Sequence, residues 1–255
     1  MTDIRDAVRE RYGSIAVNDG GCCGGGCGCG DGGDASGLGY TEEQKKAIPQ
    51  GSNLNLGCGN PLGHAAVRPG ETVLDLGSGA GIDIFLASRE VGPTGRAIGV
   101  DMTPAMISRA RKNAAEGDYA NVEFRLGEIE NLPVADQSVD LIISNCVINL
   151  SPAKSRVFAE AMRALRPGGR MVVSDLVLTR SLPENVRRSV EAYVGCVAGA
   201  MPREDFLAAM RQAGFDEVEV LEERTYASGS AEAGVGADAM DAVRSIKVRG
   251  VKPRL

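Results

Sequence analysis

The sequence predicts an α/β fold, a doubly wound parallel sheet, and three observations carry that expectation. From Glu71 onward, short apolar runs alternate with helix-period segments. The first run feeds a glycine loop, Asp75-Leu76-Gly77-Ser78-Gly79-Ala80-Gly81, that opens a helical segment. A later run, V-D-L-I-I-S-N-C at 139–146, is too continuously apolar for a one-faced sheet and reads as a central parallel strand.

Each element has a local reason. Residues 2–12 present Ile4, Val8 and Tyr12 at i, i+4 spacing, an amphipathic helix suited to docking. Eleven of the twenty residues at 20–39 are glycine, so the backbone entropy lost on ordering disfavours helix or strand there. Cys22, Cys23, Cys27 and Cys29 sit inside that stretch. Thr41 begins a capping-box-like helix over 41–47, which Pro49 ends. Strands are expected at 72–76, 96–101, 121–126, 139–146 and 170–177. Helices are expected at 82–90, 104–116 with Pro104 in the first turn, and 153–166, stopped by Pro167-Gly168-Gly169. Residues 184–214 are helical in composition, split at Pro202, and two closing strands follow at 217–222 and 242–250. The expected organisation is an N-terminal helix and Gly/Cys-rich segment over 1–50, then one domain over 51–255 with a helical insertion at about 180–214.

Composition narrows the function. The chain has 255 residues, 43% of them hydrophobic, with a formal net charge of −6 and a pI of about 5.0. That balance argues against a nucleic-acid footprint, which needs a basic face. No early apolar run resembles an export signal, and none approaches the ~20 apolar residues of a membrane span. Seven cysteines without such a signal read as cytoplasmic thiols for binding or redox work rather than disulfides. With one histidine, His64, imidazole acid–base chemistry and His-rich metal sites are nearly excluded.

The glycine loop points to a cofactor with a ribose. It follows a strand, opens a helix, and has Asp101 at the end of the next strand, placed for ribose hydroxyls. The order G-x-G-x-G with Asp75 in front disfavours a pyrophosphate, which that carboxylate would repel. S-adenosylmethionine carries an ammonium group and no phosphate, so it fits Asp75 better than a dinucleotide does. A ligand-free turn leaves Asp75 and Asp101 together unexplained. Gly127-Glu128-Ile129 follows the third strand, where adenine contacts are expected; an ordinary solvated carboxylate is the plain alternative for Glu128.

Cys58, Cys146 and Cys196 are too far apart for a zinc-type spacing. Topology can still gather them. Ligands of doubly wound sheets bind outside the carboxyl ends of the strands, at the switch point. Cys146 ends the fourth strand, Cys58 lies between glycines in the approach to the first, and Cys196 lies in the insertion that can fold over the strand ends. Free cysteine is also a common buried small hydrophobe, but that explanation weakens for three at crevice positions. A Cys₃His zinc site with His64 ranks low, since His64 is more simply a loop or helix-start residue.

These residues resemble a known family. The runs N-L-G-C-G-N-P at 55–61, D-L-G-S-G-A-G at 75–81 and G-V-D-M-T at 99–103 look like an arsenite S-adenosylmethionine methyltransferase. So do R-L-G-E-I-E at 125–130, S-N-C-V-I-N-L at 144–150 and G-C-V-A-G-A at 195–200. The resemblance implies a Rossmann-like class I S-adenosylmethionine-dependent methyltransferase fold with a cysteine-bearing N-terminal extension and a helical insertion. It implies trivalent arsenic on Cys58, Cys146 and Cys196, the latter two used throughout, with Cys22 and Cys23 as auxiliary thiols. It implies a cofactor site of Asp75, Gly77, Ser78, Gly79, Gly81, Asp101, Met102, Gly127, Glu128, Ile129 and Asn145. Arsenite and methylated arsenicals would be substrates, with an external reductant of the glutathione or thioredoxin type and no nucleic-acid or membrane partner. Two other classes stay open: a methyltransferase of a small organic substrate, and a non-catalytic metalloid-binding protein. Cys27 and Cys29 depart from the family pattern.

Overall fold

The computed structural model describes residues 3–17, 38–226 and 236–254. Cys22, Cys23, Cys27 and Cys29, and the expected glycine-rich loop around them, lie outside the described residues.

Five parallel strands form the frame: β1 Thr72–Leu76, β2 Arg96–Asp101, β3 Val122–Leu126, β4 Val139–Asn145 and β5 Leu165–Leu178. A two-residue β6, Met201–Pro202, pairs with the end of β5. The last two strands, β7 Asp216–Thr225 and β8 Val243–Val251, pair antiparallel, with β8 against β5 and β7 outermost. The sheet order is β3-β2-β1-β4-β5-β8-β7. The doubly wound half is parallel as expected, and the closing pair makes the whole sheet mixed.

Consecutive strand residues bury themselves on opposite faces. Leu74, Ile98, Ile142 and Val173 enter one core, and Val73, Ala97, Leu141 and Val172 the other. Burial on both sides is why these strands lack polar alternation. Helices α4 Ile82–Val91 and α5 Pro104–Glu116 lie in the β1–β3 crossovers. Gly81 opens α4 at φ +101°, and a Cβ there would lie 2.7 Å from rings of Phe85 and Phe124, so glycine permits the close helix–sheet approach. Helices α6 Lys154–Ala164 and α9 Arg203–Gln212 pack on the other core, with Phe158 and Phe206 edge to face at 5.4 Å.

Four short helices precede and follow this frame: α2 Glu42–Lys46, α3 Leu62–Ala65, and the insertion pair α7 Glu184–Arg187 and α8 Val190–Val194. Thr41 caps α2 in a full capping box with Gln44. The N-terminal α1, Ile4–Val17, runs past the expected end at residue 12. It packs on α5 and α8, buries Val8, and sends Arg5 and Arg9 to Glu128.

A second boundary also differs from expectation. The helix ends at Ala164, and β5 begins at Leu165 rather than 170. Pro167-Gly168-Gly169 lies within the strand as an irregularity: Val139 pairs Leu165, yet Leu141 already pairs Arg170. Gly168 takes φ +77°, and Lys252 bonds both Gly168 and Gly169 across the irregularity.

The register brings the loops to one edge. Leu76 pairs with Val100 and Ser144, and Asn145 pairs with Ser174. The residues that follow, Gly77, Asp101, Cys146 and Asp175, therefore leave the sheet at nearly one level. No helix among the described residues is long and apolar enough to cross a membrane.

Candidate active site

Three free cysteines meet at this edge. The Cys58 and Cys146 sulfurs lie within 4.8 Å of each other, and Cys196 packs in the same cluster. Cys196 Sγ also donates to the Cys146 carbonyl at 3.0 Å, and Cys58 Sγ lies 3.8 Å from Ser174 Oγ. Cys58 and Cys196 are buried, and Cys146 is half-buried.

Local backbone chemistry sets each thiol. Cys146 follows β4 in the left-handed region at φ +57°, and its N–H donates to the Ser174 carbonyl at 2.8 Å. Cys196 sits past α8 at φ +65°, in a turn where Val197 and Ala198 N–H both return to the Ala192 carbonyl. Gly199 allows that turn to approach, because a Cβ there would run into the Asn149 backbone. Cys58 is held by Asn145: Cys58 N–H donates to Asn145 Oδ1 at 3.1 Å, and Asn145 Nδ2 donates to the Gly59 carbonyl at 2.7 Å. Gly57 lies so close to Asn145 that a Cβ would approach its Oδ1 to 2.8 Å.

Burial pushes the Cys58 thiol up, with the Asp175 charge adding to it. Hydrogen bonding to Cys196 and Cys58 raises Cys146 well above the ordinary thiol range. Cys58 and Cys146 therefore rest as thiols and must release protons to bind a soft ion.

Beside the thiols lies an acidic hollow around the glycine loop. Asp101 Oδ2 accepts from Gly79 N–H at 3.0 Å, and its Oδ1 from Thr103 N–H at 2.8 Å, so the β2 carboxylate shapes the β1 loop. Asp75 is 2% exposed, and its Oδ1 has no hydrogen-bond partner. Burial, then the Asp83 and Asp101 charges, raise the Asp75 carboxyl well above its ordinary value. Burial holds Asp83 up, at about 6, against hydrogen bonds from Tyr40 and Asn145 that pull it down. Ser78 Oγ is likewise buried without a partner. Gly77 takes φ +72°, with Val147 pressed against it.

The remaining expected residues fall in several places. Met102 is half-buried and packs on the cluster that holds Cys58 and Cys196. Gly127 N–H donates to the Asp101 carbonyl at 3.0 Å. Glu128 is engaged by α1, at 2.8 Å from Arg5 and 2.5 Å from Arg9. Ile129 is buried in the large core cluster. His64 is apart from the thiols: its Nε2 is 3.0 Å from Glu222 Oε2, which also receives Lys247 at 2.7 Å. The metal-ligating group gathered among the described residues is instead Cys58, Cys146 and Asp175, with ligand atoms within 4.8 Å of one another.

Sequence reasoning missed Tyr40, Asp83 and Asp175. Tyr40 Oη donates to Asp83 Oδ1 at 2.8 Å and accepts from Asn145 Nδ2 at 3.1 Å, tying the segment before α2 to the loop edge. Asp175 had a legible signal, a carboxylate inside the apolar run M-V-V-S-D-L-V-L.

Comparison with known proteins agrees with this geometry. A family model described as a methyltransferase domain matches residues 67–225. The crystal structure of CrArsM, an arsenic(III) S-adenosylmethionine methyltransferase from Chlamydomonas reinhardtii, superposes with a TM-score of 0.68 at 37% identity, over 86% of this chain and 73% of that one. The chain belongs to the arsenite methyltransferase family. An arsenite methyltransferase of Halobacterium salinarum is 54% identical over 230 residues, 86% of this chain and 59% of the relative. One from Aquipseudomonas alcaligenes is 40% identical over 183 residues, 69% of this chain and 52% of the relative. The chain thus spans little more than half the length of these two arsenite methyltransferases.

Proposed function

We propose that this chain transfers methyl groups from S-adenosylmethionine to trivalent arsenic held by Cys58, Cys146 and Cys196. The observation that carries this reading is the meeting of three thiols from distant parts of the chain at the strand edge that holds the glycine loop. The relatives' names support it from an independent direction.

Arsenic(III) is soft and prefers thiolate sulfur to oxygen or nitrogen donors. Thiols suit arsenous acid: three S–H protons leave with three hydroxides as water, and a neutral tris-thiolate remains. A pyramidal tris-thiolate keeps a lone pair on its open side. S-adenosylmethionine supplies an electrophilic methyl group on a sulfonium. No general base is needed, in keeping with the single histidine. Positioning then carries much of the rate, an effect that reaches about 7–11 kcal/mol.

The cofactor residues fit. The partnerless Asp75 oxygen is a buried acceptor that an ammonium group would satisfy. Asp101 would hold ribose hydroxyls, with Gly77, Ser78, Gly79 and Gly81 around the amino-acid part. Met102, Gly127, Glu128, Ile129 and Asn145 would border the remainder. Residues 51–255 form the catalytic domain on this reading, and residues 1–50 an appended thiol-bearing segment in which Cys22 and Cys23 hand arsenite to the site.

Methyl transfer raises arsenic by two electrons, so each further round needs a thiol reductant of the glutathione or thioredoxin type. Such thiol chemistry belongs in the reducing cytoplasm. The test is arsenic speciation after incubation with S-adenosylmethionine and a thiol. Methylated arsenicals should appear and should vanish in Cys146→Ser. Arsenite left unchanged would rule the reading out, and arsenic-independent cofactor turnover would favour a small organic acceptor.

A further inference from the structure

A buried carboxylate lies against the thiols, and none of the steps above uses it. Asp175 is 0% exposed, and one of its oxygens lies within 4.8 Å of the Cys58 and Cys146 sulfurs. Its Oδ1 accepts from Leu176 N–H at 2.8 Å and Asn149 Nδ2 at 2.9 Å. Its Oδ2 accepts from Ile148 N–H at 3.1 Å and Asn149 N–H at 3.4 Å. Four donors converge on it and pull against the burial that raises its carboxyl to about 7, so the site holds a carboxylate above neutrality.

Arsenic methylation moves charge as well as carbon. Arsenic on three thiolates is neutral before the step. Its lone pair becomes the As–C bond while the methyl–sulfur bond breaks, and that bond's electron pair stays on the departing sulfur. The positive charge of the sulfonium therefore arrives on arsenic, which rises formally from III to V. No proton moves, and no other reactant is consumed.

We propose that Asp175 is the fixed counter-charge for the cationic arsenic. The inference rests on the arsenic-methylation reading above. A buried anion gains little against neutral bound arsenic and much against arsenic carrying developing charge, so it favours the transition state selectively. Lys154, at the start of α6, favours the ionised Asp175 carboxylate by its charge. Its Nζ donates to the Ser151 carbonyl at 2.8 Å, and its charge is felt at both Asp175 and Cys196. Glu130, bonded to Ser151 Oγ at 2.6 Å, is a further anion within the field of Lys154.

With the carboxylate within 4.8 Å of two of the arsenic-binding sulfurs, a unit charge at an effective dielectric of about 20 suggests an effect of about 100-fold on the rate. The experiment is single-turnover methyl transfer on arsenite-loaded enzyme at saturating S-adenosylmethionine, with arsenite affinity measured separately by equilibrium dialysis. Asp175→Asn keeps an acceptor for the turn and removes the charge. It should slow transfer about 100-fold and leave arsenite affinity within about 3-fold. An Asp175→Asn rate within about 3-fold of wild type, or a joint loss of affinity and rate, would overturn the counter-charge. A wild-type enzyme that yields no methylated arsenic overturns the parent reading, and the counter-charge with it.

Discussion

Asn145 clasps the chain at Cys58 from both sides, accepting its N–H at 3.1 Å and donating to the next carbonyl, that of Gly59, at 2.7 Å. The same amide reaches Tyr40 at 3.1 Å and Asp83 at 3.4 Å. One side chain thus connects the loop bearing a thiol to the acidic hollow beside the glycine loop.

Asn145→Ala should release Cys58 and leave buried groups unpaired. A loss of about 1–3 kcal/mol in stability is expected. Arsenite affinity should fall, while Cys146 and Cys196 still bind as a pair. Thermal melts and dialysis give the two numbers, and an unchanged affinity would show that Cys58 keeps its place without the clasp.

Asp101→Ala should weaken S-adenosylmethionine binding by about 1.5–3 kcal/mol, the range for a charged hydrogen bond. The structure adds a second effect, because Asp101 also receives the Gly79 and Thr103 N–H groups. Amide exchange at Gly79 should therefore rise even without cofactor. Calorimetry that finds wild-type affinity would remove Asp101 from the cofactor site.

Gly77→Ala should damage the fold more than a loop substitution ordinarily does. The residue needs φ +72°, and a Cβ would lie 2.8 Å from Val147 Cβ. Strain and overlap together should lower stability by about 1–3 kcal/mol. Val147→Ala retains that Cβ, so the double variant should recover only part of the loss on melting.

Stability without cofactor should fall as pH rises through neutrality. Burial pushes Asp83 to about 6 and Asp175 to about 7, each from the ordinary carboxyl value of 3.8. A carboxyl raised on folding binds its proton more tightly in the native state. Its contribution is complete below about 4 and lost as pH passes the folded value, about 3 kcal/mol for Asp83 by the shift alone. Melts across pH should show this decline, and Asp83→Asn should flatten its lower portion. S-adenosylmethionine binding should release a proton as Asp75 ionises against the ammonium group; calorimetry in buffers of different ionisation enthalpy measures it. Zero proton release would contradict the Asp75 pairing.

Much of the frame is legible because local chemistry and global fold agree. The bounds of β2 and α5 follow from Asp101 and Pro104, which punctuate exactly where the chain turns. The start of β5 does not, because Pro167-Gly168-Gly169 signals a break and only the distant Lys252 shows that pairing continues through it. Topology alone suggests that three cysteines share an edge. It does not show that Tyr40 closes over Asp83, 43 residues away, or that Arg5 and Arg9 occupy Glu128. Those contacts depend on how α1 and the segment before α2 lie across the sheet, and the spacing of Ile4, Val8 and Tyr12 shows a helix but not where it docks.

Cys146 and Cys196 both occupy left-handed backbone, at φ +57° and +65°, where an L side chain carries a penalty of about 1–2 kcal/mol and glycine almost none. Selection for folding alone would drift both positions toward glycine. Two cysteines held there mark a standing conflict between durability and chemistry, and a scan of all substitutions can expose it. Scored for survival on heating, glycine should outrank cysteine at 146 and 196; scored for growth of a host on arsenite, the order should invert.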